Sequence, residues 1–423
     1  MRFKETIGHS TLLKEAATLL SGSFVAQAIT LVAYFVLLRI FTPADYGLYS
    51  IFFSYIEVLV IASTCKYEMA VVAVDTDREA AGVGRYALKL NTLVSLVLLS
   101  LLSALVVGGW LPGKYAQLGW VAILIAPMVY FCGNNRVLSA LYNRMRRYKD
   151  IATSDIVGAG AAAVLKAVFG GLGMHNCGMP LGAVLGQASA NMGYRLRLHR
   201  LALPKTDKKE QREEARRQCN YPRYVATKDF VSSLSSNLPF IWLALYFDSA
   251  AVGLLAIAMT FVMQPCNLIC AAFERVLFAR TAEAVRQQRS IKRQLAQFVA
   301  AVVCTALVAA VLLWFFAEPL LTLCFGERWI GCGSYVRVLL PWAVVAVGTL
   351  SLMFTPNIFG TQRTEFRIYL VQLVLRVAAI AVGIRVGDFL LAVRLFAGVS
   401  ALISLVLLVW YIKQIGRYER SVR

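Results

Sequence analysis

Eleven charged side chains fall inside long apolar stretches of this 423-residue chain. Charge at mid-membrane costs roughly 2.5–3.5 kcal/mol on insertion scales, so each is a candidate for chemistry. They are Glu57, Lys66, Glu68, Lys89, Arg136, Asp155, Lys166, Glu274, Arg275, Arg376 and Arg394. Cations outnumber acids, which suits an anionic ligand. Lys66 sits about 13 Å from the inner end of its stretch, and a lysine stem can snorkel part of that way. At 100° per residue Lys66 and Glu68 point about 200° apart, whereas Glu57 and Glu68 share a face. Asp155 and Lys166 also share one but lie about 16 Å apart along the axis, too far to pair directly. Arg136 closes a Gly-Asn-Asn-Arg run and either binds substrate or caps a helix end. Arg376 has no acid in its own stretch, which points to a cavity or a buried partner. Arg394 and Lys89 sit near span ends, as anchors would.

These positions define two candidate sets. Lys66, Arg136, Arg376 and Lys166 are the substrate-binding candidates; Glu57, Glu68, Glu274, Arg275 and Asp155 are candidates for ion coupling or gating. No catalytic or metal constellation is expected. His9, His175 and His199 lie in or beside loops, no HExxH occurs, and Cys266 and Cys270 have no histidine partner. Cys324 and Cys332 share an outer loop and could form a disulfide. There is no phosphate-binding glycine loop, since GVGR at 82–85 is only a turn. No cofactor and no enzyme activity are expected; energy comes from an ion gradient, a partner or the substrate gradient.

The elements that must position these groups are membrane helices. Hydrophobic residues make up 59% of the chain, more than a soluble fold of this size can bury. Helices are expected at 18–40, 46–74, 86–110, 118–141, 151–170, 179–197, 229–247, 251–279, 291–317, 334–358, 366–384 and 388–412, each long enough for a ~30 Å hydrocarbon core. The fold class is therefore an all-α polytopic membrane protein with about 12 transmembrane helices. A basic segment, 198–228, separates an N-terminal lobe (1–197) from a C-terminal lobe (229–423), each with six helices. Prolines at 127, 239, 265, 341 and 356 lie inside expected spans, where each permits a bend.

With Met1 inside, 32 of the 43 Lys and Arg residues fall on the inner side and only Arg39, Lys114, Arg328, Arg337 and Arg385 outside. That asymmetry is the positive-inside rule, and it places both termini and the central segment in the cytoplasm. It also disposes of nucleic acid as a partner: the net charge of +20 is spread over many short loops, with no single basic face.

At an offset of 206 residues the first two expected helices align with the seventh and eighth, pairing Gly47 with Gly253 and Glu68 with Glu274. Six helices separate the copies, so they share one orientation and are related by an axis along the membrane normal.

Four stretches then carry a family resemblance: FTPADYGLYSI (41–51), CKYEMAVV (65–72), LPFIWLALYFDSAAVGLLAIAMTFVMQP (238–265) and FGERWIGCGSYVRVLLPWA (325–343). In their order and spacing they resemble the lipid-linked oligosaccharide flippases of the multidrug/oligosaccharidyl-lipid/polysaccharide exporter superfamily. The resemblance implies a two-lobed bundle with an alternating-access cavity whose cations accept the pyrophosphate of a polyprenyl-linked sugar. Lys66 stands where the family carries arginine, keeping the charge but losing the bidentate fork. The expected function is translocation of an undecaprenyl-pyrophosphate oligosaccharide across a bacterial inner membrane for O-antigen, capsule or exopolysaccharide synthesis. Expected partners are that substrate, membrane lipids, and a polysaccharide polymerase and assembly proteins. The alternatives are a multidrug/cation antiporter of the same superfamily, or a non-transporting scaffold of a glycan assembly complex.

Overall fold

A computed structural model describes residues 25–111 and 113–422; the side chains at 113–117, 268, 269, 271–276, 279, 280, 282, 421 and 422 also lie outside the described residues. Within them the chain is helical with no strand, and it divides into two compact units, Met1–Ser233 and Leu234–Arg423. Each expected span has a helical counterpart among the described residues, the first of them from Val25 on, since 18–24 lie outside. Nine helices among the described residues are long and apolar enough to cross a membrane.

Unit 1 runs through α1 (Val25–Ile40), α2 (Pro43–Thr64), α3 (Tyr67–Ala73), α4 (Asp77–Val107), α5 (Ile125–Arg144), α6 (Tyr148–Gly171), α7 (His175–Leu196) and α8 (Lys208–Arg217). The boundary falls early in α9 (Thr227–Tyr246). Unit 2 continues with α10 (Ser249–Arg286), α11 (Lys292–Phe325), α12 (Cys332–Leu350), α13 (Thr355–Phe359), α14 (Gln362–Val386) and α15 (Phe389–Val422).

The FTPADYG stretch is a helix start. Thr42 caps α2, Pro43 takes the first helical position, and Asp45 accepts bonds from the Thr42 amide at 2.9 Å and its hydroxyl at 2.7 Å. In the second half Asp248 caps α10, accepting from the Ser249 amide at 2.9 Å. Thr42 and Asp248 stand 206 residues apart, so the repeat places its two caps in register.

The copies then diverge. The span expected at 46–74 is two helices, because Cys65 (φ 49°) and Lys66 (φ 58°) adopt left-handed backbone between α2 and α3. Facial arithmetic therefore does not carry from Glu57 to Glu68. At the same offset α10 remains an unbroken helix. Pro127 and Pro356 lie inside the spans Leu118–Arg144 and Cys332–Phe359 as expected, each within a turn of an internal helix junction, Pro127 as the third residue of α5 and Pro356 in the first turn of α13. Pro239, Pro265 and Pro341 lie inside α9, α10 and α12. Cys324 and Cys332 are free thiols, and Cys332 is buried with its sulfur on the Leu254 carbonyl.

The α6–α7 pair packs through small residues at four-residue spacing. Gly158, Ala162 and Lys166 on α6 face Ala190, Gly186 and Gly182 on α7, and a Cβ at Gly182 would lie 2.7 Å from the Lys166 amide nitrogen. Such spacing lets helix backbones approach closely in lipid. The seam fixes where Asp155 and Lys166 stand.

The basic segment after α7 is docked on unit 1. Leu201 and Ala215 join a buried cluster with Tyr67, Val83 and Tyr142, and the Tyr67 hydroxyl donates to the Ala215 carbonyl at 3.3 Å. On α4, Arg85 donates to the Thr206 hydroxyl, Lys89 to Gln211 and Arg78 to Glu210. Lys89, read as an anchor, is thus a partner of this segment. The Arg78 hydrogen bond holds the Glu210 carboxyl below the ordinary glutamate range. A depressed carboxylate pKa stabilises docking at pH above its unfolded value, and that contribution is lost as pH falls through the folded one. Protease cleavage within 205–220 is therefore expected to be slow at neutral pH and faster below about pH 4. Glu210→Gln should abolish that pH step.

Candidate functional site: a polar cavity in unit 1

The site is built on the Gly133-Asn134-Asn135-Arg136 run of α5, and each residue has its own role. A Cβ at Gly133 would collide with the Asn91 side-chain amide, so glycine is what lets α4 approach. Asn91 Nδ2 donates to the Tyr130 carbonyl at 2.9 Å and to Asn134 Oδ1 at 3.2 Å. Asn135 reaches α7, donating to the Gln187 carbonyl at 3.0 Å and side-chain oxygen at 2.9 Å, and accepting from Asn191 at 2.9 Å. These bonds clamp α5 between its neighbours, and Arg136 projects from the clamped turn.

Arg136 enters a cavity of about 790 Å³ lined by Glu57 of α2, Glu68 of α3, Asn135 of α5, Asp155 of α6, Gln187 and Tyr194 of α7, and Tyr221 of the docked segment. Its guanidinium stands 3.9 Å from Glu57. Asp155 accepts from the Tyr194 hydroxyl at 2.9 Å, and one Glu68 oxygen is buried without a hydrogen-bond partner. The described lining therefore carries three carboxylates and one cation, the reverse of the cation excess that the spans show in sequence. Sequence spacing puts Glu57 and Glu68 on one face of one helix and Asp155 on another helix; the structure breaks the first helix at Cys65–Lys66 and still gathers all three carboxylates around one space.

The other candidates stand elsewhere. Lys66 forms an ion pair with Asp229 at 2.9 Å. Lys166 donates to the Tyr49 hydroxyl at 2.9 Å, with its ammonium 4.5 Å from that ring. Arg376 belongs to unit 2, where it is only 3% exposed. It donates to Ser400 Oγ at 2.9 Å and to Ser235 Oγ at 3.0 Å, and it stacks 4.7 Å from the Phe396 ring and 5.4 Å from Trp342. Neutral hydroxyls and aromatic faces hold this guanidinium, with no carboxylate among its hydrogen-bond acceptors in the described residues. The side chains of Glu274 and Arg275 lie outside the described residues.

Sequence reading missed Asn135, Gln187, Asn191 and Tyr194. Gln187 and Asn191 lie one helical turn apart in the middle of α7, whose neighbours from Cys177 to Gly193 are small or apolar, and that spacing is the signal that marks them.

A family model described as polysaccharide biosynthesis protein matches residues 36–334, well over half of the chain. No curated protein sequence matches it. Solved structures do. Lipid II flippase MurJ in an inward closed conformation is 10% identical with a TM-score of 0.73, over 96% of this chain and 90% of that one. An inward-facing multidrug resistance MATE family transporter of the MOP superfamily is 12% identical with a TM-score of 0.66, over 93% and 96%. A MOP superfamily transporter from Pyrococcus furiosus is 12% identical with a TM-score of 0.65, over 96% of each chain. At such identities the likeness is one of fold, whereas the family match is one of sequence. The chain is a multi-pass membrane protein with the fold of the MOP superfamily transporters, and it belongs to the polysaccharide biosynthesis protein family.

Proposed function

We propose that this protein is a flippase that moves an undecaprenyl-pyrophosphate-linked oligosaccharide across a bacterial inner membrane by alternating access, for O-antigen, capsule or exopolysaccharide synthesis. The observation that supports the reading most is the unit 1 cavity in a chain of this family. Carboxylates, side-chain amides and tyrosines are the groups that hydrogen-bond sugar hydroxyls and stack on sugar faces. Arg136 receives the pyrophosphate, exchanging its long contact to Glu57 for charge-assisted bonds to phosphate oxygens. Lys66 is a second phosphate ligand if it releases Asp229, and Glu57, Glu68 and Asp155 carry the coupling cation. The Lys and Arg asymmetry supports cytoplasmic termini.

Translocation of a labelled polyprenyl-pyrophosphate oligosaccharide in proteoliposomes tests this. The native protein should transport. Arg136→Gln should lose tenfold or more, about 1.4 kcal/mol of binding or greater, and Arg136→Lys should fall between. The acid excess of the cavity favours one second reading, export of organic cations. Efflux of cationic dyes with no movement of several lipid-linked sugars would replace the proposal with it.

A further inference from the structure

Unit 2 carries a groove of about 470 Å³ between α11 and α12, lined by Leu307, Val311, Trp314, Phe315, Leu340 and Val344 together with Ala310 and Pro341. No lining side chain except the Trp314 indole bears a hydrogen-bonding group. The α11 segment is the most hydropathic candidate span among the described residues, and none of its apolar window is buried within the fold. One charge stands at the groove's end. Arg337 donates from Nε to the Trp314 carbonyl at 3.0 Å, which fixes the stem and leaves both terminal nitrogens of the guanidinium for another acceptor. Arg337, Leu340 and Val344 recur at helical spacing on α12, so the guanidinium and the trough lie in line.

We infer that this groove holds the isoprenoid chain of a polyprenyl phosphate or pyrophosphate, with Arg337 taking the phosphate. The inference rests on the function proposed above, whose substrate it places on a second surface. Chemistry selects the occupant. In a polyprenyl phosphate the anionic head is bonded directly to hydrocarbon, and here a guanidinium passes directly into an apolar trough. A glycerophospholipid would set two ester carbonyls at that level, where the trough offers a single indole N–H. Trp314 beside Arg337 marks the depth at which headgroups meet acyl chains. By the charge asymmetry this is the outer side, where the carrier lipid would dwell after its sugar has crossed.

The test uses the full-length protein in proteoliposomes with a photoactivatable polyprenyl phosphate, mapping the adducts by mass spectrometry. Labelling should concentrate on 307–315 and 340–344, and unlabelled polyprenyl phosphate should compete at least tenfold better than phosphatidylglycerol. Arg337→Gln should reduce labelling several-fold, Arg337→Lys should restore part of it, and Val344→Trp, which fills the trough with the charge intact, should also reduce it. Labelling spread over all lipid-facing helices, or equal competition by phosphatidylglycerol, would overturn the inference in favour of bulk lipid. Transport measured in the same vesicles separates the two claims. Transport without groove labelling would sink the groove and keep the flippase; competed labelling without transport would do the opposite.

Discussion

Gly186→Val should destabilise the protein by about 3 kcal/mol, among the largest effects of any single substitution in unit 1. A Cβ at Gly186 would collide with the Ala162 side chain and stand 2.8 Å from the Ala162 Cα and 2.9 Å from its amide nitrogen. Backbone has no rotamer to change, so the two helices must part. Parting them opens the seam on both sides, at Gly182 against Lys166 and at Gly158 against Ala190. Even Gly186→Ala should cost about 1 kcal/mol, because the first carbon already clashes. Gly160, on the same α6 helix, meets nothing within 4 Å. Gly160→Ala should be neutral or gain about 0.5–1 kcal/mol from helix propensity. Thermal unfolding of the three variants in one detergent checks the order. Equal melting of Gly186→Val and the native protein would mean that the seam is not in backbone contact.

Arg144→Ala should cost about 3 kcal/mol, although sequence reading counts this residue only as one more inward-facing cation. Its side chain is 12% exposed and is consumed by the end of α3. Nη1 donates to the Val74 carbonyl at 2.5 Å, Nη2 to the Asp75 carbonyl at 2.9 Å, and Nε to Asp77 Oδ1 at 2.9 Å. Helix ends leave carbonyls without partners, and this fork satisfies those at the α3–α4 turn. Removing it strands the part-buried Val74 carbonyl at about 1–3 kcal/mol, while the exposed Asp75 carbonyl can turn to water. Arg144→Lys should recover less than half, since one ammonium cannot span carbonyl and carboxylate together. Asp77→Ala should cost less than about 1 kcal/mol, because Asp77 is largely exposed and the carbonyls keep their donor. A Lys variant as stable as the native protein would show that charge alone holds the turn.

The helices were legible because lipid forces every span to close its own backbone bonds, and long apolar runs then have one solution. Three helix starts carried a local signal that the expected spans did not use, so α4 begins at Asp77 rather than 86 and α8 lies in a stretch read as linker. Thr42, Thr76 and Asp207 each precede an acid by three residues, and each begins a helix with a capping box. The break at Cys65–Lys66 was not legible. Neither residue type favours left-handed backbone, so only tertiary packing can impose it. The candidate site divides in the same way. Composition identified the charged residues, but neighbours decided their company. Arg136 went to the cavity, Lys166 to a tyrosine, and Arg376 to two serines and two aromatic rings. The docking of 198–217 on unit 1 was hidden by its charge, because only Leu201, Gln211 and Ala215 in that stretch are buried and the rest reads as solvated loop.

Arg376 also bears on how the protein is made. When α14 emerges from the ribosome it carries a guanidinium near its middle, at a cost of roughly 2.5–3.5 kcal/mol on entering lipid. Ser235, Trp342 and the rest of its earlier partners have already been synthesised, but Ser400 and Phe396 follow 24 and 20 residues later on α15. The last two helices are thus poor candidates for stepwise release into the bilayer. They are expected to leave the translocon as a hairpin, with α15 acting as an intramolecular chaperone for α14.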